Sequence, residues 1–565
     1  MNEVLHLLPS AETLHLEAAI TNLQLRKAFV RQTDLYVGER IFLAVISSQR
    51  KRSTHKDNKA FFISDPSRKF VFWIAIAVLL AGNLIQLTTF INHDVGWVLY
   101  SSGRLLDGGT FGREIIAANP PLIWWISAIP NAVARLTGLG ALVVFRIGVL
   151  CLSVLVVIDL YRKLSEKTPA LMFAGILILF AAFVGYGANR DFGQREHLAV
   201  ILCVPYLVRA AELIDTGGTS NRTNWLASIG AGIGVAFKPH FVLIPIFVEL
   251  FVALRLRSAK HLFRADLLVS TATIAAYILA VLVFARPYIT EVIPSVREVY
   301  WGFGWPVGHV IWVNFEIVSL VVLAFAIVSL NRFPALATTT CLAAVGFLGA
   351  ALLQKKGYSY HLYPASAFAL VALVSTLSSA HRHLRATSAL VLGLAVIYLG
   401  QTAYLENRKR GAEGIYGREV QAVIDVVQEH VPEGGNFLAI STHPFPGFPV
   451  TNYAARDWLA ASNSRIGLPA IVRLRAGGIT ASQSDLLKRV EQREQRAMLL
   501  DLSHNPDIVL VHVAARRHAI GNSDFDFLSF YLEDPDIRKV WEEYVEIDAG
   551  LENFRSFKRK RSEES

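Results

Sequence analysis

Cysteine and methionine are scarce, three of each in 565 residues, and charge is thin, with Asp, Glu, Lys and Arg together making 18% of the chain. The cysteines, Cys151, Cys203 and Cys341, stand inside apolar runs. That placement excludes a disulfide framework and reads them as small core residues. Chemistry motifs are missing too. There is no GxxxxGK[ST] loop, no HExxH and no cysteine pair at zinc-finger spacing, so P-loop nucleotide hydrolysis and a zincin centre have no support. Gly230-Ala231-Gly232-Ile233-Gly234 lies inside an apolar run and reads as close helix packing, not as a dinucleotide loop. Asp524-Phe525-Asp526 has DxD spacing but sits in the tail, where it reads as surface. No internal repeat or low-complexity segment is visible.

What the chain does have is apolar length. It is 53% hydrophobic with a mean hydropathy of +0.41, far too apolar for a soluble chain of this size, and this predicts a polytopic membrane protein. The net charge of +10 would suggest nucleic acid in a soluble protein. Here the basic residues cluster in short loops between apolar runs, as the positive-inside bias produces, so no nucleic-acid partner is expected.

Three regions follow. Residues 1–69 are polar and mixed, with no leader of the cleaved type, and read as a cytoplasmic, poorly ordered segment. Residues 70–404 hold about eleven windows of spanning length, at 71–91, 139–161, 170–188, 198–213, 226–237, 241–256, 267–284, 310–330, 334–353, 362–377 and 389–404. The pair around Lys238-Pro239 is short enough for a kinked hairpin. Residues 405–565 alternate helical and strand-like patterns (a helix over 417–431, a strand over 437–441, a helix over 482–500, a β-branched run over 508–513) and predict a small α/β domain. With the N-terminus in the cytoplasm, the Lys/Arg-rich loops at 162–167, 255–264, 332 and 382–385 fall inside. The polar loops at 92–130, 189–197, 238–240, 286–309 and 354–361, with the tail, fall outside.

The outer loops carry the candidate chemistry. Asp94 ends the first span, where an acid is kept only if paired, coordinated or used; His93 is beside it. Asn189-Arg190-Asp191-Phe192-Gly193-Gln194-Arg195-Glu196-His197 packs two carboxylates, two guanidiniums and an imidazole between two spans. Arg190 and Arg195 suit a phosphate held bidentately. Asp191, Glu196 or His197 suit a polar pocket, with Asp191 and Glu196 the candidate ligands if a divalent cation takes part. Lys238 and His240 flank Pro239 at a break between apolar runs. Lys355, Lys356, Tyr358, Tyr360 and His361 lie in QKKGYSYHLYP, where lysines suit a phosphate and tyrosines a sugar face. Each of these has a plainer structural reading: a paired interfacial acid, a self-neutralising turn, snorkelling lysines or an aromatic belt.

The order of these features resembles the GT-C fold of polyprenyl-phosphate-sugar-dependent glycosyltransferases, near the protein mannosyltransferase, aminoarabinose transferase and rhizobial galacturonosyltransferase branch. Asp94 with Asn119-Pro120-Pro121-Leu122 matches the first outer loop, Asp191 and Glu196 the acids of the second, and Lys356 to Pro364 a later Lys-Gly-aromatic-His-Pro stretch. Thr442-His443-Pro444-Phe445-Pro446-Gly447-Phe448-Pro449 resembles a stretch of the extracytoplasmic domain of bacterial members. The first loop departs from the paired acids of many relatives, since Asp94 stands between His93 and Val95. The resemblance implies inverting transfer outside a bacterial cytoplasmic membrane, from a polyprenyl-phosphate sugar to a lipid, glycan or protein of the envelope. It implies Asp94, as general base, and Asp191 as the catalytic carboxylates, a donor phosphate held by Arg190, Arg195, Lys238, Lys355 or Lys356, and no nucleotide cofactor. A transporter or flippase of lipid-linked glycans, its path lined by intramembrane charge, is the alternative from another class. The observation that separates the two is whether Asp94, Asp191 and the lysines converge in space.

Overall fold

The computed structural model of the chain describes residues 66–164, 168–219, 223–379, 382–477 and 480–560. The expectation for the N-terminal segment lies outside these residues, except that 66–69 already belong to the first helix. The helices run in the order α1 (Pro66–Leu87), α2 (His93–Leu106), α3 (Leu122–Thr137), α4 (Ala141–Leu164), α5 (Ala170–Ala182, continued by a π-turn Phe183–Gly187), α6 (Arg195–Asp215), α7 (Trp225–Ala236), α8 (Leu243–Arg255) and α9 (Ala265–Phe284). There follow α10 (Ile293–Val299), α11 (Val307–Val313), α12 (Phe315–Leu330), α13 (Ala335–Gln354), α14 (Ser359–Ser379) and α15 (Arg382–Arg410).

Among the described residues, eight helices are long and apolar enough to cross a membrane: α1, α4, α5 with its π-turn, α6, α9, α13, α14 and α15. The bent pair α11 and α12, meeting at 85°, raises this to nine if it is one span. The expected eleven exceeds this because α7 and α8, on either side of Lys238-Pro239, are only 12 and 13 residues long. Pro239 cannot donate a backbone hydrogen bond, and the chain turns there through a short 3-10 segment, Pro239–Val242.

Helix α6 is the centre of the bundle, buried on nearly every side. The glycines of α7 let their backbone approach α6 and α9: a side chain at Gly234 would meet Cys203 Sγ at 3.0 Å, and one at Gly232 the Ser270 carbonyl at 2.8 Å. This is the close packing read from the glycine spacing. Charges within the bundle are paired, as a low dielectric demands. Arg209 donates to Asp266 at 3.0 Å, Tyr206 to Glu249 at 2.6 Å, and Arg264 also pairs with Glu249.

The tail contains α16 (Ile415–His430), β1 (Asn436–Ile440), α17 (Val450–Ala454), β2 (Asp457–Trp458), α18 (Leu468–Ala476), α19 (Ala481–Ser503), β3 (Ile508–His512), α20 (Phe527–Leu532), α21 (Pro535–Trp541), β4 (Tyr544–Ile547) and β5 (Phe554–Arg559). The four tail elements expected from pattern are present within a few residues of their expected bounds. The strands form one sheet in the order β2-β1-β3-β5-β4, parallel across β2, β1 and β3 and antiparallel from β3 to β5 to β4. Central β1 and β3 are apolar almost throughout, as strands covered on both faces must be. The DxD stretch has a structural role: Asp526 caps α20 by accepting from the Ser529 amide at 2.8 Å.

The described residues form one unit by contact, and the tail is fastened to the helices directly. Tyr453 Oη accepts from the Ile91 amide at 3.1 Å, Ala461 O from the Ile116 amide at 2.7 Å, and Gly304 O from Arg473 at 3.0 Å.

Candidate functional site

Local sequence places the first carboxylate. Asn92 accepts from the Asp94 amide at 2.8 Å and so starts α2, leaving Asp94 in the first turn, where exposed amides and the helix dipole favour an anion. The second group comes from the turn that joins the π-turn to α6. Asn189 takes a left-handed φ of 48° and Gly193 one of 80°, and a side chain at Gly193 would strike the Phe145 ring at 2.5 Å. Only glycine fits there, and the resulting turn brings Arg190, Asp191 and Arg195 to one side.

These two segments face a cavity of about 780 Å³. His93, Asp94, Arg190, Asp191, Arg195, Tyr358 and Tyr360 all line it. Arg195 Nη2 stands 3.9 Å from Asp94 Oδ2, and Arg190 Nε 3.9 Å from Asp191 Oδ1. The Arg190 side chain is about half exposed and donates to Ser359 Oγ at 2.6 Å, so it is the more accessible of the two guanidiniums. Burial pushes the Asp191 carboxyl up to about 7, against the pull of Arg190. Gly357, at φ 69°, carries the chain from α13 into Tyr358, which stacks on Tyr360 at 5.6 Å.

The other expected residues are placed elsewhere. Glu196 is buried beside the cavity and receives Lys238 Nζ at 2.5 Å, with Lys238 also donating to Gln354 at 2.9 Å. Both charges are consumed in a buried pair, and neither residue lines the cavity. His197 is a core residue, its Nδ1 accepting from the Gly193 amide at 2.9 Å and its Nε2 3.0 Å from Val184 O. His361 is buried against Tyr360, 3.8 Å from Glu196. His240 is half-buried outside the cavity lining. Lys355 is exposed, caps the end of α13 in a left-handed conformation, and accepts from the Trp305 amide through its carbonyl. Lys356 is buried under Tyr300, its Nζ 3.8 Å from the ring centroid and donating to the Tyr300 carbonyl at 2.6 Å. Burial, with Arg473 nearby, lowers its ammonium to about 7. Neither lysine lines the cavity; of the five cationic residues expected together, Arg190 and Arg195 do. Among the described residues no group of three or more His, Cys, Asp or Glu side chains is gathered for a metal.

Several lining residues are not among the candidate site residues named from the sequence. Tyr300, Glu406 and Arg410 belong to the helical part, and Tyr416, His443 and His518 to the tail. Arg410 ends a basic run at the close of α15, which reads as a membrane flank, and it donates to the Phe90 carbonyl at 2.5 Å. His443 and His518 follow β1 and β3, at the carboxyl ends of the parallel strands, where open α/β sheets present their loops to ligands. His443 stacks edge-on to His93 at 4.5 Å and to His518 at 5.2 Å. His518 Nε2 lies 3.2 Å from Tyr358 Oη. Burial lowers all three imidazoles, His518 to about 4, so they are neutral near pH 7 and can both donate and accept hydrogen bonds.

Fold and cavity together define the class: a mostly helical protein with membrane-length apolar helices and a small C-terminal sheet. No protein-family model matches the chain, and no curated protein matches it.

Proposed function

We propose that this protein is a GT-C-like membrane glycosyltransferase that moves a sugar, with inversion, from a polyprenyl-phosphate donor to an envelope acceptor. One observation carries the reading: Asp94 from α2, and Arg190, Asp191 and Arg195 from the turn before α6, meet with Tyr358 and Tyr360 in one cavity walled by both the helices and the tail. These unspent charges gather in one cavity at one end of the membrane-length helices, while those within the bundle, such as Arg209 with Asp266 and Arg264 with Glu249, are paired with one another, which favours an enzyme over a charge-lined conduit. In this reading the cavity and tail lie on the periplasmic side of a bacterial inner membrane, with the donor's tail among the helices.

The chemistry follows from the charges. The acceptor hydroxyl oxygen forms a bond to the anomeric carbon from the face opposite the phosphate, its proton passes to Asp94, and the bond from carbon to phosphate oxygen breaks. Negative charge grows on the departing polyprenyl phosphate. Arg190, which is accessible and within the cavity, with Arg195 behind it, is placed to stabilise that charge. Tyr358 and Tyr360 offer ring faces to the sugar, and the neutral imidazoles of His443 and His518 offer hydrogen bonds to its hydroxyls or those of the acceptor.

The test is the mass profile of envelope lipids and glycans in a deletion strain carrying no copy, the native chain, or the Asp94→Asn chain at matched expression. The expected result is a glycosyl-sized mass lost on deletion and restored by the native chain. The variant, folded and inserted, should transfer roughly 10²–10⁴-fold more slowly, the usual worth of a positioned base. Full restoration by the variant removes Asp94 as base and moves the reading towards transport.

A further inference from the structure

A second cavity lies at the far end of the same helices. It holds about 420 Å³ and is lined by Asp215, Arg255, Asn331, Arg332 and Phe333 among others. Helix α6 begins with Arg195 in the first cavity and ends with Asp215 in the second. At 21 residues it separates the two by roughly 30 Å, the thickness of a hydrocarbon core. Whichever face carries the first cavity, the second opens at the opposite one.

Its charge is not self-cancelling. Arg209 and Arg264, nearby arginines at the same end, have carboxylate partners in Asp266 and Glu249. Among the described residues, neither Arg255 nor Arg332 has a carboxylate oxygen within 4.0 Å. Asp215 is near enough for the charge of Arg255 to be felt, so two guanidiniums face one carboxylate and a positive charge is left over. The backbone here is also held in an uncommon shape. Arg332 and Phe333 adopt left-handed φ values of 60° and 56° in succession, unusual for two non-glycine residues. The turn is closed by the Phe333 amide donating to Val328 O at 3.1 Å, and Arg332 lines the same cavity as Arg255. Adjacent in the chain to the lining residues Arg255 and Asn331, Leu254 and Leu330 are exposed, with 67% and 83% of their surface free. On helices of this hydropathy such side chains face acyl chains.

We infer that this cavity binds the phosphodiester headgroup of an anionic phospholipid of the leaflet opposite the first cavity. Guanidiniums grip phosphate oxygens in pairs, a basic recess between membrane helices is the geometry that selects anionic headgroups, and the exposed leucines accommodate the acyl chains. The inference does not depend on glycosyl transfer.

The experiment uses the full chain in nanodiscs of phosphatidylglycerol and phosphatidylcholine, reading lipid retention by native mass spectrometry after release into detergent. The expected result is selective retention of phosphatidylglycerol, weakened roughly fivefold by each of Arg255→Gln and Arg332→Gln, with phosphatidylcholine retention and the melting temperature unchanged. Undiminished phosphatidylglycerol retention by the double variant overturns the assignment. So does loss with Arg190→Gln alone, which would place the lipid in the first cavity. Displacement of the lipid by millimolar inorganic phosphate would reassign the site to a free anion.

Discussion

The carboxyl of Asp191 is the most informative single group in the first cavity. Desolvation raises it from its ordinary 3.8 to about 7, although Arg190 favours its ionised form. A raised acid binds its proton more tightly in the folded chain than in the unfolded one. As pH climbs from about 4 to about 7 the unfolded state therefore ionises first and native stability falls, levelling off above that window. An Asp191→Asn chain lacks this loss. Its melting temperature should draw ahead of the native protein's across that interval and stay ahead by a constant amount at higher pH. A difference between the two chains that does not vary with pH would mean that the carboxyl is solvated and not buried as placed. The neighbouring groups show how much residue type reveals: Asp94, Arg190, Asp191 and Arg195 stood out in the sequence because charge at an apolar boundary needs a reason, and all four line one cavity. Glu196 and Lys238 were equally suspicious and are instead each other's partner, which no reading along the chain could decide.

At the scale of elements, the approach of α1 to the π-turn after α5 determines where the Asn189–Asp191 segment begins. Gly82 and Gly185 form the contact: a side chain at Gly82 would lie 2.4 Å from the Gly185 carbonyl carbon. Gln86, one turn further along α1, donates to Asn189 O at 3.1 Å and holds that segment. Gly82→Ala must therefore push two backbones apart, with an expected loss of about 1–3 kcal/mol of stability. Gly393→Ala on α15, which meets nothing within 4 Å, should be neutral or slightly stabilising, because helix interiors favour alanine. Thermal unfolding of both variants in the same detergent checks the pair, and equal effects would contradict so close a crossing. Helix and strand positions were largely readable from period and hydropathy. The π-turn and the left-handed residues at 189, 332, 333 and 355 were not, since none of them is a glycine turn with a sequence signature.

At the scale of the molecule, the first cavity exists only because the tail is seated on the helices. Gly302, in the short 3-10 segment Tyr300–Phe303, touches α18 so closely that a side chain there would lie 2.7 Å from the Ala470 nitrogen. The bridge from Arg493 to Glu298 at 2.8 Å and the Tyr358–His518 contact stand nearby on the same seam. Gly302→Leu should pry this seam open while leaving the bundle intact. Faster hydrogen exchange is expected over 468–476 and around His518, unchanged exchange in α13 and α14, and at least a tenfold fall in turnover if one reaction complex needs both walls. Unaltered exchange and turnover would show that the tail closes no part of the site.

The chain's composition and periodicity determined that it is a polytopic membrane protein with a small α/β tail, because burial in lipid demands long apolar helices and a sheet demands alternating or β-branched runs. They also marked the polar loops in which the first cavity would form. Tertiary structure alone decided which charges are spent on one another and which face open space. It turned Glu196, Lys238 and His197 inward, withdrew Lys355 and Lys356 from the cavity, and brought Arg410, His443 and His518 to it from as far as several hundred residues away. The physical reason is that a charge or imidazole near a membrane boundary is stabilised by whichever partner lies within a few ångströms, and proximity in three dimensions is not written in the local order of residues.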